Sequence, residues 1–424
     1  MRPRSFLFLQ GPHGPFFGHL AGMLRRAGHQ ICRIGFNAGD GFYWPHRDAY
    51  IPYTDPPDHW AEFLADVLDR RGITDIVLYA DTRRNHSVAR DMAQERGIRI
   101  HCFEEGYLRP YWITYERGGV NGNSRLMDMS IPQMRAMLAR TQGEVADAPA
   151  RWGALWHHSL YGAIYHSQVM FRNAGYRNFR PHRTVPLHRE WWLNVRRLAT
   201  MPISSVKRRI ETRRLFHSGM NYHLVLLQLA HDASFRDHSD FGSIADFIDL
   251  CCEGFARGAP RLHRLVFKAH PLEDGREPLA QLIRTSAARH GVADRVQLIG
   301  GGKLAEMLDS ATTAVTVNST AAQQVLWRGL PLKAFGRSVY SKPEFVSFQP
   351  LAEFFANPRQ PDIEAYRLYR RFLLATSQIP GSFYTAQGRA RILRNGIDVI
   401  LAEADPYETL ALQNAGIPQQ LAVS

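Results

Sequence analysis

The feature that most constrains the fold of this chain is a repeated alternation of short apolar runs with stretches of helical periodicity. The apolar runs form two sets, the first at residues 5–10, 29–36, 75–80 and 98–103, the second at residues 222–229, 265–269, 295–299, 313–317 and 332–335. Strands that alternate with helices form parallel βαβ units, so each set predicts a Rossmann-like α/β domain. A length of 424 residues also favours two domains over one.

A basic segment separates the two sets. It shows no strand pattern and is rich in Trp, Tyr, His and Arg. From Arg151 to Arg214 it carries thirteen basic and two acidic residues, which supplies +11 of the net charge of +13. Cations interleaved with aromatic rings suit an anionic membrane surface. Two alternatives stay open, which are single-stranded nucleic acid and a solvated helical hairpin without a partner.

Together these patterns predict four regions in the order 1–124, 125–215, 216–345 and 346–424. They are an N-terminal Rossmann-like domain, a basic aromatic helical insertion, a C-terminal Rossmann-like domain and C-terminal helices. No run of about 18 apolar residues is present, so we expect no transmembrane helix. The four cysteines lack the spacing of a zinc site, and the apolar N-terminal run is too short for a signal peptide, so we expect a protein that is not exported.

Polar residues follow several strands of the second set. A lysine and a histidine come at the end of one strand, in Lys268-Ala269-His270-Pro271. Gly301 lies in the next strand-to-helix turn, and Asn318-Ser319-Thr320 ends a later strand and opens a helix. Exposed amides at a helix N-terminus and nearby cations attract phosphate. The pattern predicts a phosphate site at the carboxyl edge of this sheet, although each residue taken alone is equally consistent with capping or packing.

Paired acids mark the first set. Glu104-Glu105-Gly106 follows the strand at residues 98–103, Arg109 comes shortly after, and Glu116 and Asn121 lie farther along. A transferase needs one carboxylate as base or nucleophile and others to position the acceptor, so Glu105 and Glu116 are candidates. The alternative is that Glu104 pairs with a local arginine and that Glu116 is solvated.

A glycine-rich turn follows the first strand and contains Gly11, His13 and Gly14. It lacks a nucleotide-binding fingerprint. Without further information, a plain surface turn is the simpler interpretation.

These segments, together with Leu226-Leu227-Gln228 and Gly329-Leu330-Pro331, resemble the capsule polysaccharide synthesis proteins of Gram-negative bacteria, and among them the KpsS (LipB) type. The resemblance extends over residues 5–345. It implies a GT-B-like arrangement, in which two Rossmann-like domains face each other across a cleft, the first on the acceptor side and the second binding the nucleotide sugar.

The resemblance also implies a reaction, the retaining transfer of Kdo from CMP-Kdo to lyso-phosphatidylglycerol. Two displacements at one carbon give retention, which calls for a carboxylate nucleophile. By the same resemblance His270 and Pro271 contact the donor phosphate, Ser319 and Thr320 lie below it, and Glu116 falls near the nucleophile position. Lys268, Asn318 and Gly301 complete the expected donor side, and Gln228 is a further candidate in the cleft.

No metal or other cofactor is expected, because CMP carries a single phosphate and the chain has no D-x-D motif. The resemblance places the protein in the cytoplasm, peripheral on the inner face of the cytoplasmic membrane, with a KpsC-type transferase and the capsule export machinery as partners and no nucleic acid. Other functions stay open: a transferase of capsule synthesis with a different nucleotide sugar, a non-catalytic component of capsule export, or a nucleic-acid binder.

Overall fold

The computed structural model describes residues 3–139, 155–179, 192, 212–213, 215, 219–230, 233–271, 273 and 275–414. The chain divides into two compact units. Among the described residues, the first unit is built from those within Met1–Arg125, Pro132–Thr184 and Arg371–Ser424, and the second from those within Leu126–Ile131 and Val185–Arg370.

Among the described residues, twelve strands form two sheets. In chain order they are β1 (Ser5–Phe8), β2 (Gln30–Gly35), β3 (Tyr50–Pro52), β4 (Asp75–Tyr79), β5 (Arg99–Glu105), β6 (Trp112–Arg117), β7 (Tyr222–Leu226), β8 (Arg264–Lys268), β9 (Val296–Ile299), β10 (Ala311–Thr316), β11 (Leu332–Ala334) and β12 (Gln378–Pro380).

The α-helices among the described residues follow the same order. They are α1 (Phe16–Arg26), α2 (Ala38–Phe42), α3 (Trp60–Arg70), α4 (Arg84–Glu95), α5 (Ile131–Leu138), α6 (Leu155–Arg172), α7 (Ala233–Asp237), α8 (Ile244–Gly258), α9 (Leu279–Arg289), α10 (Leu304–Leu308), α11 (Ala322–Trp327), α12 (Leu351–Ala356), α13 (Ile363–Ala375), α14 (Ala386–Leu401) and α15 (Pro406–Asn414).

The sheet of the first unit has seven strands in the order β12-β6-β5-β4-β1-β2-β3. The strands from β1 to β5 are parallel, whereas β6 and β12 run antiparallel to their neighbours β5 and β6. Buried apolar residues cover both faces of this sheet, with Leu7 and Ile76 in one cluster and Phe8 and Val77 in the other. A parallel sheet covered on both faces explains why its strands read as continuous apolar runs.

The sheet of the second unit has five parallel strands in the order β11-β10-β7-β8-β9. Its core includes Phe247 and Cys251 of α8 and Leu265 and Phe267 of β8. The N-terminus of α8 is capped by the side chain of Ser243, which accepts a hydrogen bond from the backbone N–H of Asp246. The two parallel sheets with helices confirm the predicted α/β class.

Three local predictions differ from the structure. The strand predicted at residues 98–103 extends to Glu105, so both candidate acids belong to β5 itself. The segment around Glu116, which was not predicted as a strand, forms β6. The residues beyond 346 are not helices alone, because Gln378–Pro380 form β12 in the first sheet and α14 packs against α1. These pairings join residues more than 260 positions apart, for which local periodicity gives no signal.

The described part of the predicted insertion, residues 125–215, holds α5, α6 and short turns. Most of its arginines lie outside the described residues, as do Trp152 and Trp191. Within the part of the chain that the structure describes, no helix is long and apolar enough to cross a membrane.

Candidate functional site

Each sheet has one position where the chain reverses its direction of strand addition. In the first sheet the chain proceeds from β1 to β2 and β3, then continues with β4 on the other side of β1. In the second sheet it proceeds from β7 to β8 and β9, then continues with β10 on the other side of β7. Ligands of open α/β sheets bind in the crevice that such a reversal leaves at the carboxyl ends of the strands. Candidate sites therefore lie after β1 and β4 in one unit and after β7 and β10 in the other.

Glu105 is the last residue of β5, at the carboxyl edge of the first sheet. Its side chain is half-buried, and the Tyr79 hydroxyl donates to its Oε1 atom at 3.4 Å. Burial raises the pKa of Tyr384 well above the ordinary value, and the Glu105 carboxylate, which is hydrogen-bonded to the Tyr384 hydroxyl, acts in the same direction. Glu105 is thus a partly accessible carboxylate oriented by two tyrosine hydroxyls. Tyr384, contributed by the C-terminal segment, was not predicted as part of the site.

Glu104, the preceding residue, has different surroundings. Its Oε1 atom accepts a hydrogen bond of 2.9 Å from the backbone N–H of Glu105. Burial raises the pKa of Glu104 to about 7, and the adjacent Glu105 carboxylate acts in the same direction, while Arg109 and Arg83 oppose it. A carboxyl group with a pKa near neutrality can both take up and release a proton under physiological conditions. The two acids therefore differ in the roles they are suited to.

Arg83 was missed by sequence reasoning although it follows β4, beside the reversal in the first sheet. Its guanidinium carbon lies 5.7 Å from the centroid of the Tyr79 ring. Arg109, which was predicted, is exposed, and its Nε atom donates to the backbone oxygen of Gly106 at 3.2 Å. The available signal for Arg83 was the basic pair Arg83-Arg84 directly after a predicted strand.

The glycine-rich turn after β1 packs under helix α6. The His13 ring stacks on Tyr165 with centroids 4.4 Å apart. Gly14 has a φ of +118°, and a Cβ atom placed there would lie 3.3 Å from the ring of Tyr161. A Cβ atom at Gly11 would lie 2.6 Å from a ring carbon of Phe17. Close packing against aromatic rings therefore accounts for glycine at both positions. Contact of this turn with a ligand stays a prediction.

Asp40 is the centre of a buried network that no sequence pattern predicted. Its carboxylate accepts hydrogen bonds from Gln10, Arg33 and Tyr165, each at 3.2 Å, and from the backbone N–H of Phe36 at 3.0 Å. Gln10 lies just beyond β1, and Tyr165 belongs to α6. The network therefore fixes the inward face of α6 against the sheet edge where β1 ends.

Glu116 does not lie at the carboxyl edge of the sheet. Because β6 is antiparallel to β5, Ile113 pairs with Glu105 whereas Glu116 pairs with Cys102, three residues back. That register places the backbone of Glu116 about 10 Å from the edge.

The Glu116 side chain is fully buried, and three hydroxyl groups donate to it. They are Tyr107 at 2.7 Å, Ser124 at 2.5 Å and Tyr407 at 3.0 Å. Burial raises the pKa of Glu116 to about 7, and the three hydrogen bonds oppose the rise.

This geometry corrects the expectation that Glu116 meets the other acids at the edge. Because the Glu116 carboxylate is fully buried and hydrogen-bonded within the protein, a sugar carbon cannot approach it. A structural role therefore fits Glu116 better than a catalytic one. Asn121 belongs to the same interior network, because its backbone N–H donates to the Tyr107 hydroxyl at 2.7 Å. Asn121 also has a left-handed backbone conformation, with φ of +55°.

In the second unit, Gln228 and Asn318 meet at the reversal between β7 and β10. The Gln228 amide donates to the Asn318 side-chain oxygen at 2.8 Å, and the Asn318 backbone N–H donates to the Gln228 side-chain oxygen at 3.0 Å. Both side chains are buried. This reciprocal pair ties the ends of two neighbouring strands together, which makes it the support of the crevice.

Ser319 and Thr320 follow Asn318 and are half-buried. Helix α11 begins at Ala322, and its N-cap position is Ala321, which has no side-chain cap. The predicted helix, which was expected to begin at Thr320, therefore begins two residues later than predicted. The Ser319 hydroxyl instead accepts a hydrogen bond of 3.2 Å from the backbone N–H of Ala321.

The remaining predicted residues of the second unit come after β8 and β9. Lys268 ends β8 with its side chain buried, His270 is half-buried two residues later, and Pro271 is exposed. Gly301 is half-buried in the loop after β9. Since β8 lies next to β7 in the sheet, His270 is on the same edge as the Gln228–Asn318 pair.

Within the described ranges, no group of three or more His, Cys, Asp or Glu side chains is placed to hold a metal ion. The four cysteines are buried and form no disulfide.

The sequence matches the model of the capsule polysaccharide biosynthesis protein family over residues 74–384. The chain belongs to this family. The predicted resemblance is thereby confirmed. The capsule-family match includes the acids of β5 and the second-unit crevice, whereas Gly11, His13 and Gly14 precede it.

Individual members of the capsule family align over most of the chain. The capsule polysaccharide export protein KpsS of Escherichia coli is 29% identical over 392 residues, which cover 90% of this chain and 97% of that protein. The capsule polysaccharide modification protein LipB of Neisseria meningitidis serogroup A is 31% identical over 392 residues, which cover 90% and 92%. Among solved structures, the Thermosulfurimonas dismutans KpsC, a beta Kdo 2,7 transferase, aligns with a TM-score of 0.43 at 12% identity, covering 94% of this chain and 100% of that one.

Proposed function

We propose that this member of the capsule family is a retaining glycosyltransferase that transfers Kdo from CMP-Kdo to lyso-phosphatidylglycerol. The observation that carries the proposal is Glu105, a partly accessible carboxylate held by Tyr79 and Tyr384 at the carboxyl edge of a parallel sheet. Carboxylates in such surroundings serve as nucleophiles in glycosyl transfer. Membership in the capsule polysaccharide biosynthesis family supports a sugar of the capsule as the group transferred.

In the proposed first step, a Glu105 oxygen forms a bond to the anomeric carbon of Kdo while the bond to the CMP phosphate breaks, and CMP leaves with the electron pair. The second unit binds CMP-Kdo at the ends of β7, β8 and β10. There His270 and the hydroxyl groups of Ser319 and Thr320 bind the phosphate and stabilise the charge that develops on it. The product of this step is a glycosyl-enzyme ester and free CMP.

In the second step the acceptor hydroxyl attacks the same carbon and displaces the Glu105 carboxylate. Its proton passes to Glu104, whose pKa of about 7 allows it to act as a base when ionised. Arg83 and Arg109 are cations near these acids and suit the phosphate of a phospholipid acceptor. Two inversions return the original configuration at the anomeric carbon.

The test is to incubate the purified protein with CMP-Kdo and a lyso-phosphatidylglycerol analogue and to identify the product by mass spectrometry and NMR. The expected product carries one Kdo in the donor's anomeric configuration. Glu105→Gln abolishes transfer, whereas Glu95→Gln, at an exposed carboxylate of α4, keeps it. The proposal fails if no transfer occurs under any condition, or if the product is inverted.

Two further measurements separate the alternatives. A thermal shift with CMP but not with UDP supports the CMP-linked donor, and the reverse favours another nucleotide sugar. The Escherichia coli relative is named a capsule polysaccharide export protein, which favours a non-catalytic role in capsule export as the second candidate. That role predicts that cells carrying Glu105→Gln or His270→Ala still display capsule, whereas the transferase predicts that they do not.

Binding to the inner face of the cytoplasmic membrane and partnership with a KpsC-type transferase and the export machinery belong to the same proposal. A lipid acceptor calls for binding to the membrane, and membership in the capsule family suggests the protein partners. Pull-down of this protein from cells with and without capsule export genes tests the protein partners.

A further inference from the structure

Helix α6 has two unlike faces. Its inward face carries Tyr161 and Tyr165, which contact the glycine-rich turn and Asp40, and the buried Val169. Its outward face carries residues at helical spacing that form one stripe, namely Leu160, Ala163, Ile164, Ser167 and Phe171. Phe171 is 76% exposed and Leu160 is 45% exposed.

The composition of this stripe is unusual for a helix face in water. Helix α6 contains no acidic residue, and its only formally charged side chain is Arg172 at its last position. Surface helices of globular proteins normally carry charged residues on the face away from the core. A mostly apolar face with Leu160 and Phe171 exposed, on a helix that is already packed on its other side, indicates a contact with something outside the unit.

Cations accompany the stripe. Arg172 and Arg177 are exposed at and just beyond the C-terminal end of α6. The surrounding segment from Arg151 to Arg214 has thirteen basic residues against two acidic ones. An apolar face with exposed arginines at one end, in a segment whose sequence is strongly basic, matches the boundary between the acyl chains and the headgroups of an anionic lipid surface. The charge argues against an ordinary basic or apolar protein partner.

We propose that the outward stripe of α6 is the membrane-docking surface of this protein, with Leu160 and Phe171 inserted at the headgroup level of an anionic bilayer. This inference deepens the proposed function, on which it rests for the need to reach a lipid acceptor. The inward face of the same helix stacks Tyr165 on His13, beside the end of β1. Docking through α6 therefore brings the acceptor edge of the first unit next to the lipid surface.

The experiment is vesicle sedimentation of the full-length protein without any donor. Phosphatidylcholine vesicles with and without phosphatidylglycerol are compared for the wild type, Phe171→Ser and the matched control Phe348→Ser, whose side chain is 68% exposed in the second unit. We expect binding to the anionic vesicles only, weakening with salt. Phe171→Ser binds roughly tenfold more weakly, which corresponds to burial of most of one phenyl group, and Phe348→Ser binds as the wild type does.

Three outcomes overturn the docking surface: no binding of the wild type to anionic vesicles, equal binding of Phe171→Ser, or a lower thermal midpoint for Phe171→Ser than for Phe348→Ser. The last result would mean that the protein's own chain, such as residues 180–211, covers the stripe.

Kdo transfer to a short-chain, water-soluble acceptor distinguishes a wrong docking surface from a wrong proposed function. If transfer persists without vesicle binding, only the docking surface is wrong. If vesicles bind through Phe171 but no Kdo is transferred, only the transferase proposal is wrong.

Discussion

Replacing Glu116 by glutamine distinguishes a structural carboxylate from a catalytic one. Burial raises the pKa of Glu116 from 4.5 to about 7 in the folded protein. Below the unfolded pKa the group is protonated in both states. As pH rises, Glu116 ionises first in the unfolded chain, which favours unfolding. The free energy of unfolding therefore falls progressively until the pH passes about 7, where Glu116 also ionises in the folded protein. The difference between the two pKa values corresponds to a loss of about 3 kcal/mol of unfolding free energy.

Glutamine does not titrate, so the Glu116→Gln variant should lack this loss. It retains the shape of glutamate but presents one oxygen and one amide group to the hydroxyls of Tyr107, Ser124 and Tyr407. At least one hydroxyl must turn to accept rather than donate, at a cost of about 1 kcal/mol. We therefore expect the variant to be less stable than the wild type by about 1 kcal/mol near pH 4, about equal to it near pH 5, and more stable by about 2 kcal/mol near pH 8.

Urea unfolding at a series of pH values measures the free energies of unfolding of the two proteins and shows whether their order reverses with pH. The Kdo transfer assay is run on the same samples. Because Glu116 lies away from the sheet edge, the variant should keep most of the wild-type activity. Stability curves that run parallel at all pH values would refute the titration argument. Loss of transfer by more than about a thousandfold in a stably folded variant would restore Glu116 as the nucleophile.

Three other substitutions test the remaining geometry. The kcat/KM of the wild type for the acceptor should rise as pH passes about 7, because Glu104 takes the acceptor's proton only when ionised, and Glu104→Gln should be slower with a flat profile in the transfer assay. Asp40→Asn leaves the buried Arg33 guanidinium without its carboxylate partner, so urea unfolding should show a free energy of unfolding lower by about 3 kcal/mol. The control Asp48→Asn, at an exposed ion pair, should change this free energy little. Gln228→Leu removes the two hydrogen bonds that Gln228 makes with the buried Asn318, and urea unfolding should show a loss of about 2 kcal/mol, with weaker CMP binding by calorimetry.

The sequence was sufficient for the features that depend on local pattern. Apolar runs alternating with helical stretches predicted most strands of both parallel sheets, to within a few residues at their ends. The acids Glu104 and Glu105 were placed at the carboxyl edge because they end an apolar run, and the structure has them there. The combination of short motifs was sufficient for the family, which the match over residues 74–384 confirms.

The tertiary structure decided what depends on pairing between distant residues. The antiparallel register of β6 against β5 moved Glu116 from the predicted edge into the interior, because a strand's direction determines which of its ends shares an edge with its neighbour. Tyr384 reached Glu105 only because the C-terminal segment returns to the first sheet through β12. Helix α6 acquired an inward and an outward face only when Asp40 and His13 packed against it, since a helix that is apolar on both sides shows no amphipathic pattern from which its buried face could be predicted.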